Sequence, residues 1–213
     1  MSKIVLDFGS GNTCKNDLNY AKRMVDELRA IDSGKHEVII KWQLFQKAGD
    51  NVPLSLNIFS DVYYYAKALG YKTTASVFDI PSLEFLLNYN IPFVKIANNP
   101  SLYHLSGYVP RNIPIYISVA TQCNYLDLQE KVAKQDGIMC CVSNYPASLS
   151  DYEIAHNKFD LLCKNISDHT EDFELFNKYT PDMVEWHYKL EDSTGLDAGS
   201  FARTPNQLKE VLL

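Results

Sequence analysis

The sequence has 213 residues, of which 46% are hydrophobic and 22% are charged, as is typical of a soluble globular protein. Its net charge of −6 argues against nucleic acid as a partner, and no apolar run approaches the roughly eighteen residues that indicate a membrane span. The first residues enter a strand and leave no room for a signal peptide. Five cysteines without a C-x-x-C spacing favour a reducing compartment, so we expect a cytoplasmic protein.

Short apolar runs alternate with helix-length amphipathic segments along the chain. Glycine commonly ends a helix, so Gly70 is expected to end the helix around residues 62–69. Pro81 suits the first turn of the next predicted helix. Eight strands are predicted, at residues 4–6, 38–40, 72–77, 93–97, 115–118, 138–142, 161–166 and 183–188. Helices are predicted from about residue 16, around 62–69, and at 82–88, 124–135, 149–156, 171–178 and 205–213, and residues 46–57 are predicted as a loop.

This alternation predicts an α/β fold. Apolar strands that are each followed by a helix or a helix-sized loop indicate a parallel sheet. Eight such units predict a closed (β/α)8 TIM barrel, compact for that fold, and residues 1–213 contain no linker that would divide this single domain. A doubly wound open sheet is the alternative, and it is disfavoured because no Gly-x-Gly-x-x-Gly turn follows the first strand.

Two late segments each run from apolar residues to a histidine. They end at His169 and His187, which are separated by about the length of one helix plus one strand. This spacing places both imidazoles at the same ends of neighbouring parallel strands. Two neutral imidazoles that converge suit a divalent metal with open coordination positions. The alternative is two unrelated strand-end histidines, one bonded to a carbonyl group and one solvated.

Polar side chains follow the other strands as well. A lysine at a strand end is usually solvated, and a serine there usually caps the next helix. In a barrel, however, all these residues face the C-terminal mouth, where such enzymes build their sites. Lysines and hydroxyl groups together suit a phosphate or a carboxylate. The residues are Asp7, Lys41, Ser76, Lys95, Ser118, Ser143 with Tyr145, Ser167 with His169, and His187.

Seven segments spread over nearly the whole chain form one pattern. They are Asp7-Phe8-Gly9, Lys41-Trp42-Gln43, Ala75-Ser76-Val77-Phe78-Asp79, Phe93-Val94-Lys95-Ile96-Ala97, Ser143-Asn144-Tyr145-Pro146, Ser167-Asp168-His169-Thr170 and Glu185-Trp186-His187. In this order they resemble the sialic acid synthase (N-acetylneuraminate synthase) family, whose members condense phosphoenolpyruvate with an amino sugar. The Ser-Asp-His-Thr segment, followed at this distance by a strand that ends in histidine, is the most specific match.

The resemblance implies roles for individual residues. His169 and His187 would hold a divalent metal, manganese or magnesium, and Asp7 stands where the family has a catalytic glutamate. The implied catalytic residues are Asp7, Lys41, Lys95 and His187. The implied substrate-binding residues are Ser76, Asn98, Ser118, Ser143, Tyr145, Ser167 and Asp197, of which Tyr145 and Asp197 would line the sugar pocket.

The resemblance also implies a reaction. The metal acts as a Lewis acid on the aldehyde of the open-chain sugar. C3 of phosphoenolpyruvate attacks this aldehyde, water adds at C2, and loss of phosphate leaves a 2-keto sugar acid. Lysines around the phosphate would stabilise the departing charge.

Three features depart from the family pattern. Asp7 is one methylene shorter than glutamate, and Asn98 replaces a serine that contacts phosphoenolpyruvate. The sequence stops at Leu213, where the family continues into an antifreeze-like domain whose arginine binds the N-acetyl group. Among the arginines of this sequence that could replace it, only Arg203 is near the end of the eighth strand. We therefore expect poor turnover of N-acetylmannosamine. Either the acceptor lacks the acyl group, or a separate chain supplies the missing domain, and the partners expected for the chain are a second copy in a homodimer or that separate chain.

Two other interpretations stay open at this point. A related synthase that uses a phosphosugar, or an aldolase that uses pyruvate, would need much the same residues. A barrel without activity that serves as a binding or regulatory subunit is also compatible with the departures at Asp7 and Asn98.

Overall fold

The computed structural model describes residues 2–120, 137–158 and 164–213, with the backbone alone at 155–158. The predicted helix at 124–135 and the first part of the predicted seventh strand lie outside these residues.

Eight parallel strands close into a barrel in chain order, and the first strand pairs with the last. The predicted TIM barrel is therefore confirmed. The strands are β1 Lys3–Asp7, β2 Glu37–Leu44, β3 Lys72–Val77, β4 Val94–Ile96, β5 Ile115–Val119, β6 Gly137–Cys140, β7 Asn165–Asp168 and β8 Met183–His187.

Helices cover the outside of the barrel. They are α1 Leu18–Arg29, α2 Leu56–Ala68, α3 Ile80–Leu86, α4 Leu149–Lys158, α5 Glu174–Tyr179 and α6 Pro205–Leu212, with 3₁₀ helices at Pro100–Tyr108 and Leu196–Ala198. Asp17 caps α1 by accepting a hydrogen bond from the Tyr20 N–H, and Thr204 forms a capping box with Gln207 at α6. Within the described ranges, no helix combines the length and apolar character that crossing a bilayer requires.

Side chains alternate between the inside and the outside of each strand. On β8, Glu185 and His187 point into the barrel, whereas Trp186 points outward and packs edge-on against Phe173 and Phe176. Trp42 is likewise buried on the outer side of β2, so both tryptophans pack in the layer between the strands and the helices. A separate apolar cluster fills the lower barrel and consists of Val5, Ile39, Phe93, Met139 and Met183. The polar residues of the upper barrel therefore rest on an apolar floor.

Several elements differ from the prediction. Strand β7 ends at Asp168, two residues beyond the predicted end at residue 166, because its inward residues at the mouth are polar and an apolar criterion ends it too early. Helix α2 begins at Leu56, inside the predicted loop 46–57. The 3₁₀ helix Pro100–Tyr108 was not predicted, although Asn99 caps it and proline stands at its start.

Trp186 provides a test of the outer layer. Its ring is fully buried, and its Nε1 donates a hydrogen bond of 2.8 Å to Asp168 Oδ2. We expect Trp186→Ala to lower the free energy of unfolding by about 3–5 kcal/mol, since a large buried side chain is lost. Tyr108→Ala, at a side chain that is 58% exposed, should change it by about 0.5 kcal/mol or less. Urea denaturation of both variants measures this difference, and equal effects would contradict it.

Candidate active site

A cavity of about 660 Å³ opens at the C-terminal ends of the strands. The predicted site residues that line it are Asp7, Lys41, Ser76, Lys95, Asn98, Ser118, Tyr145, Ser167, His169, His187 and Asp197. Ser143 lies outside this lining; its side chain is exposed and its hydroxyl accepts a hydrogen bond from the Asn98 side chain at 3.3 Å. The structure thus brings together the predicted residues from all eight strand ends, with Ser143 beside the others.

Sequence reasoning missed several residues of this cavity. Gln43 and Glu185 are the polar ones, and each stands two positions from a predicted residue on the same strand. Alternation along a strand gives residues two apart the same inward direction, so this signal was present in the sequence. Phe78, Ala97, Cys141, Leu196 and Phe201 also line the cavity, mainly with apolar surface.

Lys41 is held at the centre of the cavity by neighbouring oxygens. Its Nζ donates to Asp7 Oδ2 at 2.7 Å and to Ser76 Oγ at 2.9 Å, and it lies 3.5 Å from Glu185 Oε2. Burial lowers the pKa of Lys41, but the carboxylates of Asp7 and Glu185 outweigh burial and raise the pKa above its ordinary value. Lys41 is therefore a permanent cation in this site.

Asp7 is the counter-charge of Lys41. Its carboxylate also accepts hydrogen bonds from Gln43 Nε2 and from the Gly9 N–H, both at 3.0 Å. Burial raises the pKa of Asp7, whereas the charge and hydrogen bond of Lys41 lower it, and the result is a pKa of about 2. Asp7 is therefore ionised at neutral pH, and its carboxylate is tied to fixed donors.

Gly9 makes room for a second carboxylate beside Asp7. Its backbone has a φ of 73°, a left-handed conformation that glycine adopts without strain. A Cβ atom added at Gly9 would lie 2.2 Å from Thr13 Oγ1 and 3.0 Å from the Cβ of Asp197. The turn after β1 therefore lets the 3₁₀ helix that carries Asp197 approach the barrel.

Asp197 enters the cavity from the segment after β8. Its Oδ1 accepts a hydrogen bond of 2.9 Å from Gln43 Nε2, so one amide group connects the carboxylates of Asp197 and Asp7. Burial raises the pKa of Asp197, and the charge of Asp7 raises it further, although His187 opposes this shift. Its Oδ2 is buried and has no hydrogen-bond partner among the described residues. That oxygen is an acceptor available to a ligand.

Lys95 and Glu185 complete the layer of charged residues in the cavity. Lys95 Nζ donates to Ser118 Oγ at 2.6 Å and lies 4.0 Å from Glu185 Oε2. Burial lowers the pKa of Lys95, an effect that Glu185 opposes and Lys41 reinforces. Burial raises the pKa of Glu185, but the two lysines outweigh it and lower the pKa. Glu185 Oε1 accepts from Ser167 at 2.8 Å, so a single carboxylate lies between two ammonium groups.

His169 is held as a neutral ring. Its Nδ1 is 2.8 Å from the carbonyl oxygen of Val142, and because a carbonyl only accepts, Nδ1 carries the proton. Its Nε2 therefore keeps a lone pair, 3.4 Å from Ser167 Oγ. Burial lowers the pKa of His169 to about 3, with a further contribution from His187. A neutral imidazole with one nitrogen fixed by a carbonyl is the usual form of a histidine that binds a metal.

His187 lies beside His169 at the same mouth, with 5.6 Å between the ring centroids. Its Nδ1 lies 3.5 Å from Asp197 Oδ1 and 3.8 Å from Asp7 Oδ2, and it has no hydrogen-bond partner in the described part of the chain. Aromatic rings enclose the pair. The Tyr145 ring lies 4.1 Å from His169, and the Phe201 ring lies 5.0 Å from His187.

These donors fit a divalent metal that keeps open coordination positions. His169 Nε2 has a lone pair directed away from its carbonyl partner, and His187 Nδ1 and Asp197 Oδ2 are buried polar atoms for which the described residues supply no hydrogen bond. No preformed group of three or more histidine, cysteine, aspartate or glutamate ligands occurs among residues 2–120, 137–158 and 164–213. Water or substrate oxygens would have to complete the coordination.

Comparison with known proteins decides the family. Residues 32–212 match the sequence profile of the NeuB family. The chain belongs to the NeuB family. The resemblance to sialic acid synthases is thereby confirmed. An alignment of 97 residues is also 35% identical to the N-acetylneuraminate-9-phosphate synthase of Drosophila melanogaster, and it covers 41% of this chain and 26% of that enzyme. The aligned segment thus spans about a quarter of the length of that curated relative.

Solved structures with the same barrel support this assignment of the fold. The N-acetylneuraminic acid synthetase of Leptospira borgpetersenii serovar Hardjo-bovis, in complex with citrate, matches 98% of this NeuB family chain over 80% of its own, with a TM-score of 0.75 and 21% identity. A putative spore coat polysaccharide biosynthesis protein E from Chromobacterium violaceum matches with a TM-score of 0.80 and 18% identity, over 99% of this chain and 72% of its own. A truncated 3-deoxy-D-arabino-heptulosonate 7-phosphate synthase from Thermotoga maritima matches with a TM-score of 0.64 and 14% identity, over 99% of this chain and 84% of its own.

The neutral state of His169 predicts how stability depends on pH. The unfolded side chain takes up a proton near pH 6.5, whereas the folded one does so only near pH 3, so acidification below pH 6.5 favours unfolding. This group alone should remove about 2 kcal/mol of stability between pH 7 and pH 5. His169→Gln should abolish that part of the loss, and His104→Gln, at an exposed ring, should leave it unchanged. Denaturant titrations at several pH values measure how the free energy of unfolding changes with pH. The same pH dependence in wild type and His169→Gln would contradict the assignment.

Proposed function

We propose that this NeuB family chain condenses phosphoenolpyruvate with an aldose, an amino sugar that resembles N-acetylmannosamine, to give a 2-keto sugar acid and phosphate, and that N-acetylmannosamine itself is a poor acceptor for the chain alone. One observation carries the proposal. Two buried lysines and several hydroxyl groups share the floor of one cavity with two adjacent imidazoles. An anionic substrate and a polarised aldehyde can therefore meet in the same space. We place the reaction in the cytoplasm, consistent with the prediction from the cysteine content.

The lysines are arranged to receive an anion. An ammonium group has three N–H donors. Lys41 uses two of them on Asp7 and Ser76, and Lys95 uses two on Ser118 and the carbonyl oxygen of Ile96. A third N–H of each lysine can donate to the phosphate or carboxylate of phosphoenolpyruvate. Because the fixed partners already orient both ammonium groups, little side-chain entropy is lost when the anion binds.

The remaining substrate-binding residues extend this anion site. Ser118 already accepts a hydrogen bond from Lys95, and Ser167 already donates one to Glu185. Their hydroxyl groups can reorient toward an anion, since a serine both donates and accepts. Asn98 stands at the edge, where its amide contacts Ser143 and the Ala120 N–H. An amide at this place can donate to an oxyanion as the serine of the family pattern does.

His169 and His187 would hold a divalent ion, manganese or magnesium. The chemistry that such an ion supplies when bound is polarisation of the aldehyde oxygen of the acceptor. The protein contributes by keeping His169 neutral and by fixing its Nδ1 on Val142. Asp7 acts through Lys41, because its ionised carboxylate holds that ammonium group charged and oriented.

The proposed reaction forms a carbon–carbon bond at C3 of phosphoenolpyruvate and breaks a carbon–oxygen bond at its C2. C3 of phosphoenolpyruvate forms the bond to the aldehyde carbon, and water adds its oxygen at C2. The bond between C2 and the phosphate oxygen then breaks, and its electron pair leaves with phosphate, while the oxygen from water becomes the keto group. The two protons of water end on the new hydroxyl group and on phosphate. Lys41 and Lys95 stabilise the charge on the departing phosphate.

The acceptor side of the cavity suits a neutral polyol. Asp197 offers a buried carboxylate oxygen that has no hydrogen-bond partner in the described residues, and a sugar hydroxyl can donate to it. Tyr145 and Leu196 are 55% and 68% exposed and add apolar surface at the mouth. A phosphorylated amino sugar is the second candidate acceptor, because the Drosophila relative is named for a 9-phosphate product.

A screen of acceptors tests the proposed reaction. Phosphate release from phosphoenolpyruvate would be measured with manganese and a panel that contains N-acetylmannosamine, its 6-phosphate, mannosamine and mannose. We expect release only when an acceptor is present, together with a 2-keto acid product detected by mass spectrometry. Release that does not depend on the aldose, or no release with any acceptor, would overturn the proposal and favour a binding or regulatory role.

The anion site has a separate test. Lys95→Met should weaken the binding of phosphoenolpyruvate by about 1.5–3 kcal/mol, the contribution of a hydrogen bond to a charged group. Lys95 is the cleaner choice, because Lys41 also neutralises Asp7. Lys72→Met is the matched control, since Lys72 is exposed at the start of β3, at the opposite end of the barrel. Calorimetric titration with phosphoenolpyruvate measures both, and an unchanged affinity in Lys95→Met would place the anion elsewhere.

A further inference from the structure

Among the described residues, Arg203 is the largest charged side chain that is fully buried, and it lies outside the cavity. It is fully buried, and it was the one arginine near the end of the eighth strand in the sequence. Its guanidinium does not face the substrate space. Instead Nη1 donates to the carbonyl oxygens of Thr170 and Phe201, and Nη2 donates to the carbonyl oxygen of Asp172. An arginine bound in this way is not available to a substrate acyl group.

The main chain of Arg203 makes further contacts. Its N–H donates to the carbonyl oxygen of His187 at 2.7 Å, and its carbonyl oxygen accepts from the Lys189 N–H at 3.0 Å. Residue 203 thus extends the sheet beside the end of β8, where it forms a parallel bridge with Tyr188. The backbone that carries His187 is fixed from this side.

The side chain reaches two other segments of the site wall. Thr170 directly follows His169, and Phe201 presents its ring to both histidines, at 6.3 Å from His169 and 5.0 Å from His187. One guanidinium therefore joins the segment after β7 to the segment after β8. A planar fork with several fixed donors can hold carbonyl groups from two segments at once, which a lysine ammonium cannot reproduce.

The charge of Arg203 is balanced by groups that lie outside the cavity. Nη2 lies 3.8 Å from Asp168 Oδ2, and the guanidinium lies over the Phe173 ring at 5.1 Å from its centroid. Asp168 Oδ1 in turn accepts hydrogen bonds from the N–H and the hydroxyl of Thr170. The Nε of Arg203 has no hydrogen-bond partner among the described residues, but both Nη atoms are bonded. A buried cation held through both Nη atoms favours one arrangement of the segments it contacts, because separating them leaves charge and carbonyl groups unpaired.

We infer that Arg203 is a positioning residue that sets the relative placement of His169, His187 and the Phe201 ring. It does so without touching the substrate space. The part of this inference that concerns a metal rests on the proposed function, whereas the placement of the imidazoles does not. Loss of the guanidinium would release the segment after β7 from the segment after β8, so the histidines would no longer share one fixed geometry.

Two variants and one control test this role. Arg203→Met removes all five donors with a similar volume, and Arg203→Lys keeps the charge but loses the planar fork. Leu86→Ala, at a fully buried residue of α3, is the control for general loss of stability. Long-range nitrogen–proton NMR spectra of the imidazoles, recorded without metal, report the tautomer of His169. Electron paramagnetic resonance of free Mn²⁺ reports the dissociation constant of the metal.

The expected results separate positioning from stability. Wild type and Leu86→Ala should show a single His169 tautomer with the proton on Nδ1, and both Arg203 variants should show mixed tautomers. The dissociation constant for Mn²⁺ should rise about tenfold or more in both Arg203 variants, as for residues that orient metal ligands, and stay unchanged in Leu86→Ala. Arg203→Lys carries the test if Arg203→Met does not fold.

Other outcomes have distinct meanings. An unchanged His169 spectrum in a folded Arg203 variant overturns the inference, even if that variant is less stable than wild type. A wild-type chain that does not bind Mn²⁺ overturns the metal in the proposed function, and the imidazole spectra then decide the role of Arg203 by themselves.

Discussion

The site depends on the buried ion pair between Asp7 on β1 and Lys41 on β2, and β1 is also the strand that closes the barrel by pairing with β8. Asp7 pairs in register with Lys41 on β2 and with His187 on β8, so the first strand brings together groups that lie far apart in sequence. Both charges are about 2% exposed. Removing either partner would leave the other buried without compensation, at a cost of roughly 3–5 kcal/mol. The closure of the sheet and the charge state of the cavity are therefore coupled.

This coupling is possible because the barrel is built in layers. The lower interior is apolar, with Val5, Ile39 and Met183 in one cluster, and the charged groups stand directly above it on the same strands. An apolar floor keeps water from screening the lysines from below, so charges in the cavity interact more strongly than they would in solution. It also leaves the mouth as the direction from which a polar ligand can approach the floor of the cavity.

The sequence predicted the barrel and the strand-end residues, because the alternation of apolar runs with helices and the order of motifs are local signals. Gln43 and Glu185 could also have been predicted from the alternation of side chains on β2 and β8. Arg203 could not, since its role depends on hydrogen bonds to the carbonyl groups of Thr170 and Asp172, which are more than thirty positions away. The burial of Asp197 depends likewise on how the segment after β8 folds against Gly9. Local pattern predicts strand ends, whereas the assembly of loops depends on tertiary packing.

Glu185 gives the resting cavity an internal counter-ion. Its Oε2 lies 3.5 Å from Lys41 and 4.0 Å from Lys95, close enough to attract both ammonium groups and too far for strong hydrogen bonds. An incoming anion must therefore offer each lysine more than this resident carboxylate already does. One oxygen of one resident carboxylate thus lies within 4.0 Å of both ammonium groups. Its attraction for both cations offsets their mutual repulsion, so the spacing of the two lysines depends on Glu185.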